Sequence, residues 1–127
     1  KFVAGFVGKV AFFPVEILGA EGSGYACALK SKRFTVPLGV AGMAAGSKAA
    51  VMARPESLRL GEPGTGLLEG KVAANIYLGS SVESFVATEF GDILVQIDDP
   101  TSKRIWPEGS PVSLHFEPRL VRVLPED

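Results

Sequence analysis

A lysine and a serine-rich turn come closest to a ligand site in this sequence. Lys71 precedes Gly79-Ser80-Ser81 by eight residues. An ammonium group, two hydroxyls and the backbone amides of a turn are groups that hold a small oxyanion such as sulfate or molybdate. The alternative is a polar turn near a solvated lysine. An oxyanion site formed by Lys71, Ser80 and Ser81 is therefore a hypothesis to test against the fold.

Residues that commonly catalyse reactions or bind metals are few in this chain. With one His and one Cys, most zinc-site spacings are excluded. His115 alternates with apolar residues and is interpreted as a strand histidine on a solvated face. Cys27 has apolar neighbours and is interpreted as a small, reduced core residue. Asp98-Asp99 precedes a proline and is interpreted as a loop. We predict no catalytic residue and no metal site.

The nearest approach to a phosphate-binding loop is the segment Thr65–Val72. Thr65 stands where the motif needs its first Gly, and Val72 where it needs the hydroxyl that binds magnesium. The segment also leads into a predicted strand instead of a helix. We therefore expect no nucleotide hydrolysis and no cofactor within these residues.

The elements that position these residues are predicted to be short strands. The chain has 127 residues, of which 46% are hydrophobic, with 15 Gly and 9 Pro dividing the apolar runs. Ile93–Ile97 and Val112–Phe116 show the period-two spacing of strands with one buried face. Turn signals at intervals of about eight to twelve residues favour a small sandwich or barrel. Two helical pieces are expected: residues 1–6, as the end of a helix that begins upstream, and a short turn at Pro55–Leu58.

Charge and aromatic placement argue against a nucleic-acid binder. Thirteen Lys and Arg against fourteen Asp and Glu give a net charge of −1, whereas polyanion binders concentrate positive charge. Basic residues are not interleaved with the aromatic side chains, so core and interface packing is expected of them. These aromatic residues are Tyr77, Phe85, Phe90, Trp106 and Phe116.

An internal repeat divides the chain into halves, residues 1–60 and 67–127. Three pieces recur in order at an offset of 62 to 63 residues. The matched pieces are Gly8–Ala11 with Gly70–Ala73, Gly46–Pro55 with Gly109–Pro118, and Leu58–Leu60 with Val121–Val123. Each half is expected to hold about five strands, opening and closing with a long one. Because closure hides strand edges, the arrangement predicts an all-β, OB-like barrel built from two duplicated halves, with little helix.

Several segments together resemble one protein family. They are Phe2–Gly8, Ala53–Leu60, Gly70–Val72, Tyr77–Ser80 and Glu108–Pro118. In order and spacing they are similar to the TOBE domain, the C-terminal regulatory region of the ATP-binding subunits of ABC importers. The subgroup resembled imports polyamines, ferric iron, sulfate or sugars, and the resemblance covers essentially the whole chain.

The resemblance implies a single TOBE-type domain over residues 1–127, with residues 1–8 ending a helical connection to an upstream ATPase domain. ATP and magnesium would bind in that domain. The implied partners are the subunit's own ATPase domain, a second copy in a homodimer and, indirectly, the membrane permease subunits. The implied location is the cytoplasm, at the inner membrane through the transporter complex. The residues that match the family's hinge and second-half motifs, and are implied at regulatory interfaces, are Arg54, Pro55, Glu56, Tyr77, Gly79 and Ser80.

Two other functions stay open at this point. The first is a free-standing sensor of a small oxyanion with a similar barrel. The second is an OB module that binds single-stranded nucleic acid, which the near-neutral charge disfavours. The transported substrate is not encoded in these residues.

Overall fold

The described residues form two antiparallel sheets. The computed structural model describes residues 5–7 and 10–125, which contain eleven strands and one short 3-10 turn, Pro55–Ser57. Strands of the first half are β1 (Gly5–Val7), β2 (Val10–Glu21), β3 (Gly24–Leu29), β4 (Lys32–Val36), β5 (Lys48–Ala53) and β6 (Leu58–Gly61). Strands of the second half are β7 (Leu68–Tyr77), β8 (Ser81–Thr88), β9 (Gly91–Asp98), β10 (Pro111–Phe116) and β11 (Arg122–Pro125). The prediction of an all-β domain with little helix is confirmed.

The two sheets have the same strand order and exchange their last strands. One sheet runs β11-β5-β2-β3-β4, with β1 also paired to β2, and the other runs β6-β10-β7-β8-β9. Strand β6 of the first half therefore belongs to the sheet of the second half, and β11 to that of the first. Because each half supplies an edge strand to the other, neither half completes its own sheet.

The strand pairing shows an internal repeat, but the offset in residue number between corresponding positions is not constant. The amide of Ile17 donates to the carbonyl of Ser47 at 2.9 Å, and the amide of Val72 donates to that of Ser110 at 2.9 Å. A bulge follows both Ile17 and Val72 in their strands. Ile17 thus corresponds to Val72, an offset of 55, so the sequence match between Gly8–Ala11 and Gly70–Ala73 is wrong.

Two connections that are longer in the second half account for the change in this offset along the chain. The pair Glu21↔Gly24 leaves two residues in the first hairpin, whereas the corresponding pair Ile76↔Glu83 leaves six. The connection that precedes β10 is also longer than the one before β5, so the offset rises from 55 to 59 and then to 63. From Gly46 and Gly109 onward the offset of 63 holds, and both glycines have φ near +90°. Sequence similarity located the second part of the repeat and misplaced the first.

Two further expectations were wrong. Gly5–Val7 pairs with β2 as a strand instead of ending a helix, and residues 1–4 of that predicted helix lie outside the described residues. The closing strands β6 and β11 are short, with four residues each. The expected turn after Ala53 is present as the 3-10 turn, whose first position is Pro55.

An aromatic cluster joins the sheets at the centre of the core. The ring of Phe13 lies 5.1 Å from that of Phe116 and 6.3 Å from that of Phe90, and Phe34 lies 5.3 Å from Phe116. Phe13 is fully buried. These rings come from both halves, so the two sheets share one core, which explains why the domain does not separate at the internal repeat.

Candidate functional site

The turn at Arg54–Ser57 connects the two sheets, because it leads from β5 in one sheet to β6 in the other. Its backbone leaves β5 in an extended conformation at Arg54 (φ −88°, ψ 160°), and Pro55 then starts the 3-10 turn. Pro55 and Ser57 are buried, whereas Arg54 and Glu56 are exposed. This alternation follows from the chain reversal, which directs the two charged side chains to solvent and fixes the uncharged ones against the core.

The corresponding turn of the second half, residues 117–120, is hydrogen-bonded to this one. The amide of Glu117 donates to the carbonyl of Ser57 at 2.8 Å. The hydroxyl of Ser57 donates to the carbonyl of Leu120 at 3.1 Å. Ser57 is therefore a residue through which the two turns contact each other.

The ion pair beside these turns does not involve the charged residues of the Arg54–Glu56 segment. Neither Arg54 nor Glu56 forms an ion pair with any residue in the range 10–125. Instead Arg59 Nη2 lies 2.9 Å from Glu117 Oε2. Because the Arg59 side chain is 68% exposed, this pair fixes geometry and adds little stability, about 0–1 kcal/mol.

A cleft of about 490 Å³ opens next to the turn. Its floor is apolar and includes Leu58, Leu60, Ile97 and Trp106. Its rim carries both signs of charge, from Glu56, Asp98 and Glu117 and from Arg59, Lys103 and Arg104. A rim with balanced charges does not favour a simple anion or cation over water, so the cleft is suited to contact with a mixed-charge surface.

Arg104 occupies part of this cleft. Its guanidinium carbon lies 3.6 Å from the centre of the Trp106 ring, and its Nη1 lies 2.8 Å from Glu62 Oε2. The amide group of Asn75 donates to the carbonyl of Trp106 at 2.8 Å and accepts from the buried hydroxyl of Ser84 at 2.6 Å. These bonds hold the long connection before β10 against the second sheet and orient the tryptophan toward the cleft.

The second predicted motif lies at the tip of the β7–β8 hairpin. Tyr77 is 66% exposed and Leu78 is 53% exposed, so Tyr77 is not a core residue, and of the core and interface packing expected of the aromatic residues only an interface suits it. Gly79 has a φ of +80°, a conformation that side chains disfavour, which explains the glycine. The carbonyl of Ser80 accepts a hydrogen bond from the amide of Asp99 at 3.2 Å. The tip is therefore an ordered turn with an apolar surface.

Lys71 does not join this turn. In the register of the hairpin Lys71 pairs with Ala87, whereas Tyr77 pairs with Val82 at the tip. Tyr77 lies six residues further along the strand than Lys71, which is about 20 Å at ~3.3 Å per residue. The predicted oxyanion group of Lys71 with Ser80 and Ser81 is thus not brought together within this chain.

The other polar residues singled out in the sequence, Cys27, His115 and Asp99, are buried or hydrogen-bonded within the fold. Burial raises the pKa of the Cys27 thiol to about 11, so this thiol is protonated and inert at neutral pH. His115 Nε2 lies 3.1 Å from the hydroxyl of Thr65. Hydrogen bonds from Ser102 and then Thr101 lower the pKa of Asp99, which sits in a turn with φ +52°. Among residues 10–125 no group of three or more His, Cys, Asp or Glu side chains could hold a metal ion.

Sequence reasoning missed the residues that shape the cleft. Arg59 stands in the repeat and in the family-like segment Ala53–Leu60, with no cleft implied there, and no motif marks Arg104 or Glu62. The sequence contains one weak indication of the contact between Arg104 and Trp106, because side chains two residues apart in an extended segment lie on the same side. The contacts of Glu62 and Glu117 depend on how the halves are arranged, and no local pattern encodes that arrangement.

Comparisons with known proteins agree with the observed fold and identify the family of the chain. The family description of the TOBE domain matches residues 51–124. This chain belongs to the TOBE domain family. It is 31% identical over 127 residues to the spermidine/putrescine import ATP-binding protein PotA of Ruegeria pomeroyi, and 32% identical over 124 residues to the Fe(3+) ions import ATP-binding protein FbpC of Rhizobium etli. Each alignment covers 98% of this chain and 34% of the relative, so the chain spans about a third of the length of these curated relatives.

A solved structure supports the predicted OB-like architecture. The cytoplasmic molybdate-binding protein ModG, in a crystal form with molybdate bound, superposes with a TM-score of 0.65. The match covers 88% of this chain and 93% of ModG at 15% identity, which shows a shared fold. The OB-like, TOBE-type barrel is therefore confirmed. In the described ranges no helix has the length and hydropathy needed to cross a membrane.

Proposed function

We propose that this domain is the regulatory and dimerisation module of the ATP-binding subunit of an ABC importer. The observation that carries the proposal is the similarity of 98% of the chain to about a third of PotA and to about a third of FbpC. The imported solute belongs to the class of polyamines, ferric iron, sulfate or sugars. Catalysis, ATP and magnesium belong to the ATPase domain of the subunit, and this domain acts on that cycle from outside it. The subunit is cytoplasmic and reaches the inner membrane through its permease partners.

The turn at Ser57 is the proposed coupling element. Regulation between sites requires an element that responds to both of them. Ser57 bonds the turn of one half to the turn of the other, and the neighbouring Arg54 and Glu56 are exposed for contact with the ATPase domain. A partner that presses on one turn thereby changes the position of the other.

The hairpin tip at Tyr77–Ser80 is the proposed contact with the second copy of the subunit. Large apolar side chains that are exposed side by side mark interaction surfaces more often than isolated ones do. Ile76, Tyr77 and Leu78 are 44%, 66% and 53% exposed and consecutive in the chain. Gly79 and Ser80 fix the turn that presents them.

The test compares the full-length subunit with a variant that carries Tyr77→Ser and Leu78→Ser. We expect the variant to lose dimer in light scattering and to change its ATPase rate, while its ATP affinity is unchanged. Val40→Ser is the matched control, because Val40 is 48% exposed and lies in another loop. The control should keep the dimer and the ATPase rate of the unmodified subunit.

Two results would contradict the proposal. One is a double variant whose dimer fraction and ATPase rate equal those of the control. The other is a deletion of the whole domain that leaves ATP hydrolysis and solute import unchanged. Either result would leave the domain without a role in the ATPase cycle.

A further inference from the structure

The pseudo-symmetry of the two sheets identifies two arginines at the positions where the other sheet has an arginine and a glutamate. Arg59 on β6 pairs across the sheet with His115, and Glu117 lies two residues beyond His115. In the other sheet Arg122 on β11 pairs with Met52, and Arg54 lies two residues beyond Met52. Arg122 and Arg54 therefore occupy the positions in this sheet that Arg59 and Glu117 occupy in the other sheet, at the offset of 63.

The two positions present their side chains on one face. Because Arg54 keeps an extended backbone, the alternation of β5 continues through it, and Arg54 lies on the face of Met52 and Arg122. Diagonal neighbours on adjacent antiparallel strands have Cα atoms about 7–8 Å apart, which is within reach of long side chains. The Arg59–Glu117 contact of 2.9 Å shows that this geometry does bring the charged ends together.

Where the other sheet has a positive and a negative side chain, this site has two positive ones. Arg54 and Arg122 are both exposed, and neither has an ion pair with a residue of the described ranges. Adjacent like charges repel each other, and two guanidinium groups match the oxygens of a carboxylate, sulfate or phosphate group. The carboxylate nearest to Arg54 along the chain, that of Glu56, lines the cleft on the second sheet.

We propose that Arg54 and Arg122 together bind a compact oxyanion, the kind of group that Glu117 supplies to Arg59. The oxyanion comes either from a carboxylate side chain of a protein that docks on this face or from a free inorganic ion. The site is separate from Lys71 and the hairpin tip, and its test does not depend on the proposed transporter function. Since both guanidinium groups are open to water, a free ion is held weakly and exchanges with the solvent.

The experiment follows the side-chain Nε–Hε NMR signals of the arginines in the 127-residue chain. Sodium sulfate, sodium phosphate and sodium acetate are titrated against sodium chloride at constant ionic strength. We expect the signals of Arg54 and Arg122 to shift together and to saturate, whereas those of Arg33 and Arg59 follow the chloride control. Saturation with sulfate or phosphate alone indicates a free ion as the source, and saturation with acetate as well indicates a carboxylate.

Charge-reversal variants provide the second part of the experiment. Arg54→Glu places a carboxylate where the pseudo-symmetry puts that of Glu117, so the signal of Arg122 should lose its response to every added anion. Arg54→Gln should weaken the response about fivefold or more, since it removes one of two cations. Arg33→Glu, which makes the same charge change on β4, should leave the response intact. The proposal is overturned if all exposed arginines drift in parallel without saturation, or if Arg54→Glu leaves the response of Arg122 unchanged.

Discussion

The buried hydroxyl of Ser113 should hold the link between the halves, and its removal should make stability less dependent on pH. Ser113 is fully buried on β10. Its hydroxyl donates to Glu69 Oε2 and accepts from the amide of Gly66 at 3.0 Å. Gly66 belongs to the segment that joins β6 to β7, so one side chain anchors this connection to the second sheet.

The expected cost of Ser113→Ala follows from these two bonds. The substitution leaves the buried amide of Gly66 without its acceptor, which costs roughly 1–3 kcal/mol. A domain of this size loses roughly 3–5 °C in melting temperature for each kcal/mol. The hydrogen bond from Ser113 is also the first cause of the lowered pKa of Glu69, ahead of the amide of Gly64.

The sign of the pH effect is fixed by the direction of that shift. A carboxyl with a lowered pKa in the folded state stabilises the fold above its unfolded pKa, and this contribution is lost as the pH falls through the folded value. The difference in unfolding free energy between the unchanged protein and Ser113→Ala should therefore be largest near pH 7. It should shrink as the pH falls below the ordinary Glu value of 4.5.

Urea unfolding at pH 7, 5 and 3 measures this difference. Ser84→Ala is the matched control, because Ser84 is equally buried but donates to the neutral amide oxygen of Asn75. The control should destabilise the protein by a similar amount at every pH at which the protein still folds. If Ser113→Ala and Ser84→Ala show the same pH dependence, the Ser113–Glu69 bond does not couple protonation to stability and the reasoning fails.

Three further predictions concern the core and its turns. Phe13→Ala should cost about 3–5 kcal/mol in urea unfolding, because it opens a cavity in the aromatic cluster; a loss below 1 kcal/mol would contradict the packing. Gly24→Ala should abolish or severely weaken folding, since the new Cβ would lie 2.0 Å from the carbonyl oxygen of Val36, whereas Gly19→Ala meets no atom within 4 Å and should fold normally by circular dichroism. Cys27 should resist a disulfide reagent at pH 8 until urea unfolds the protein, and rapid labelling of the native protein would refute its burial.

Local chemistry made the strands and turns predictable. The period-two runs around Ile93 and Val112 mark strands β9 and β10, and Pro55 marks the only 3-10 turn among the described residues. Cys27 was assigned to the core from its neighbours, and it is buried. These predictions succeeded because backbone propensity and side-chain burial act over a few residues.

The arrangement of the halves was not predictable in the same way. The match of Gly8–Ala11 with Gly70–Ala73 was attractive as sequence, yet strand register is set by cross-strand bonds such as those of Ile17 and Val72. The exchange of β6 and β11 between sheets depends on the shared core. Lys71 and Ser80 are close in sequence but lie far apart along an extended hairpin. Spacing in sequence predicts proximity only when the intervening backbone conformation is known.

Sequencing the gene directly upstream of these residues would show whether they follow an ATPase domain. This domain is proposed to be the regulatory third of an ABC importer ATP-binding subunit, because the chain covers 34% of PotA and of FbpC. The account predicts an open reading frame that continues upstream into an ATPase domain with Walker motifs and supplies the other two thirds. A start codon at the beginning of this segment, or an upstream domain of another kind, would contradict it.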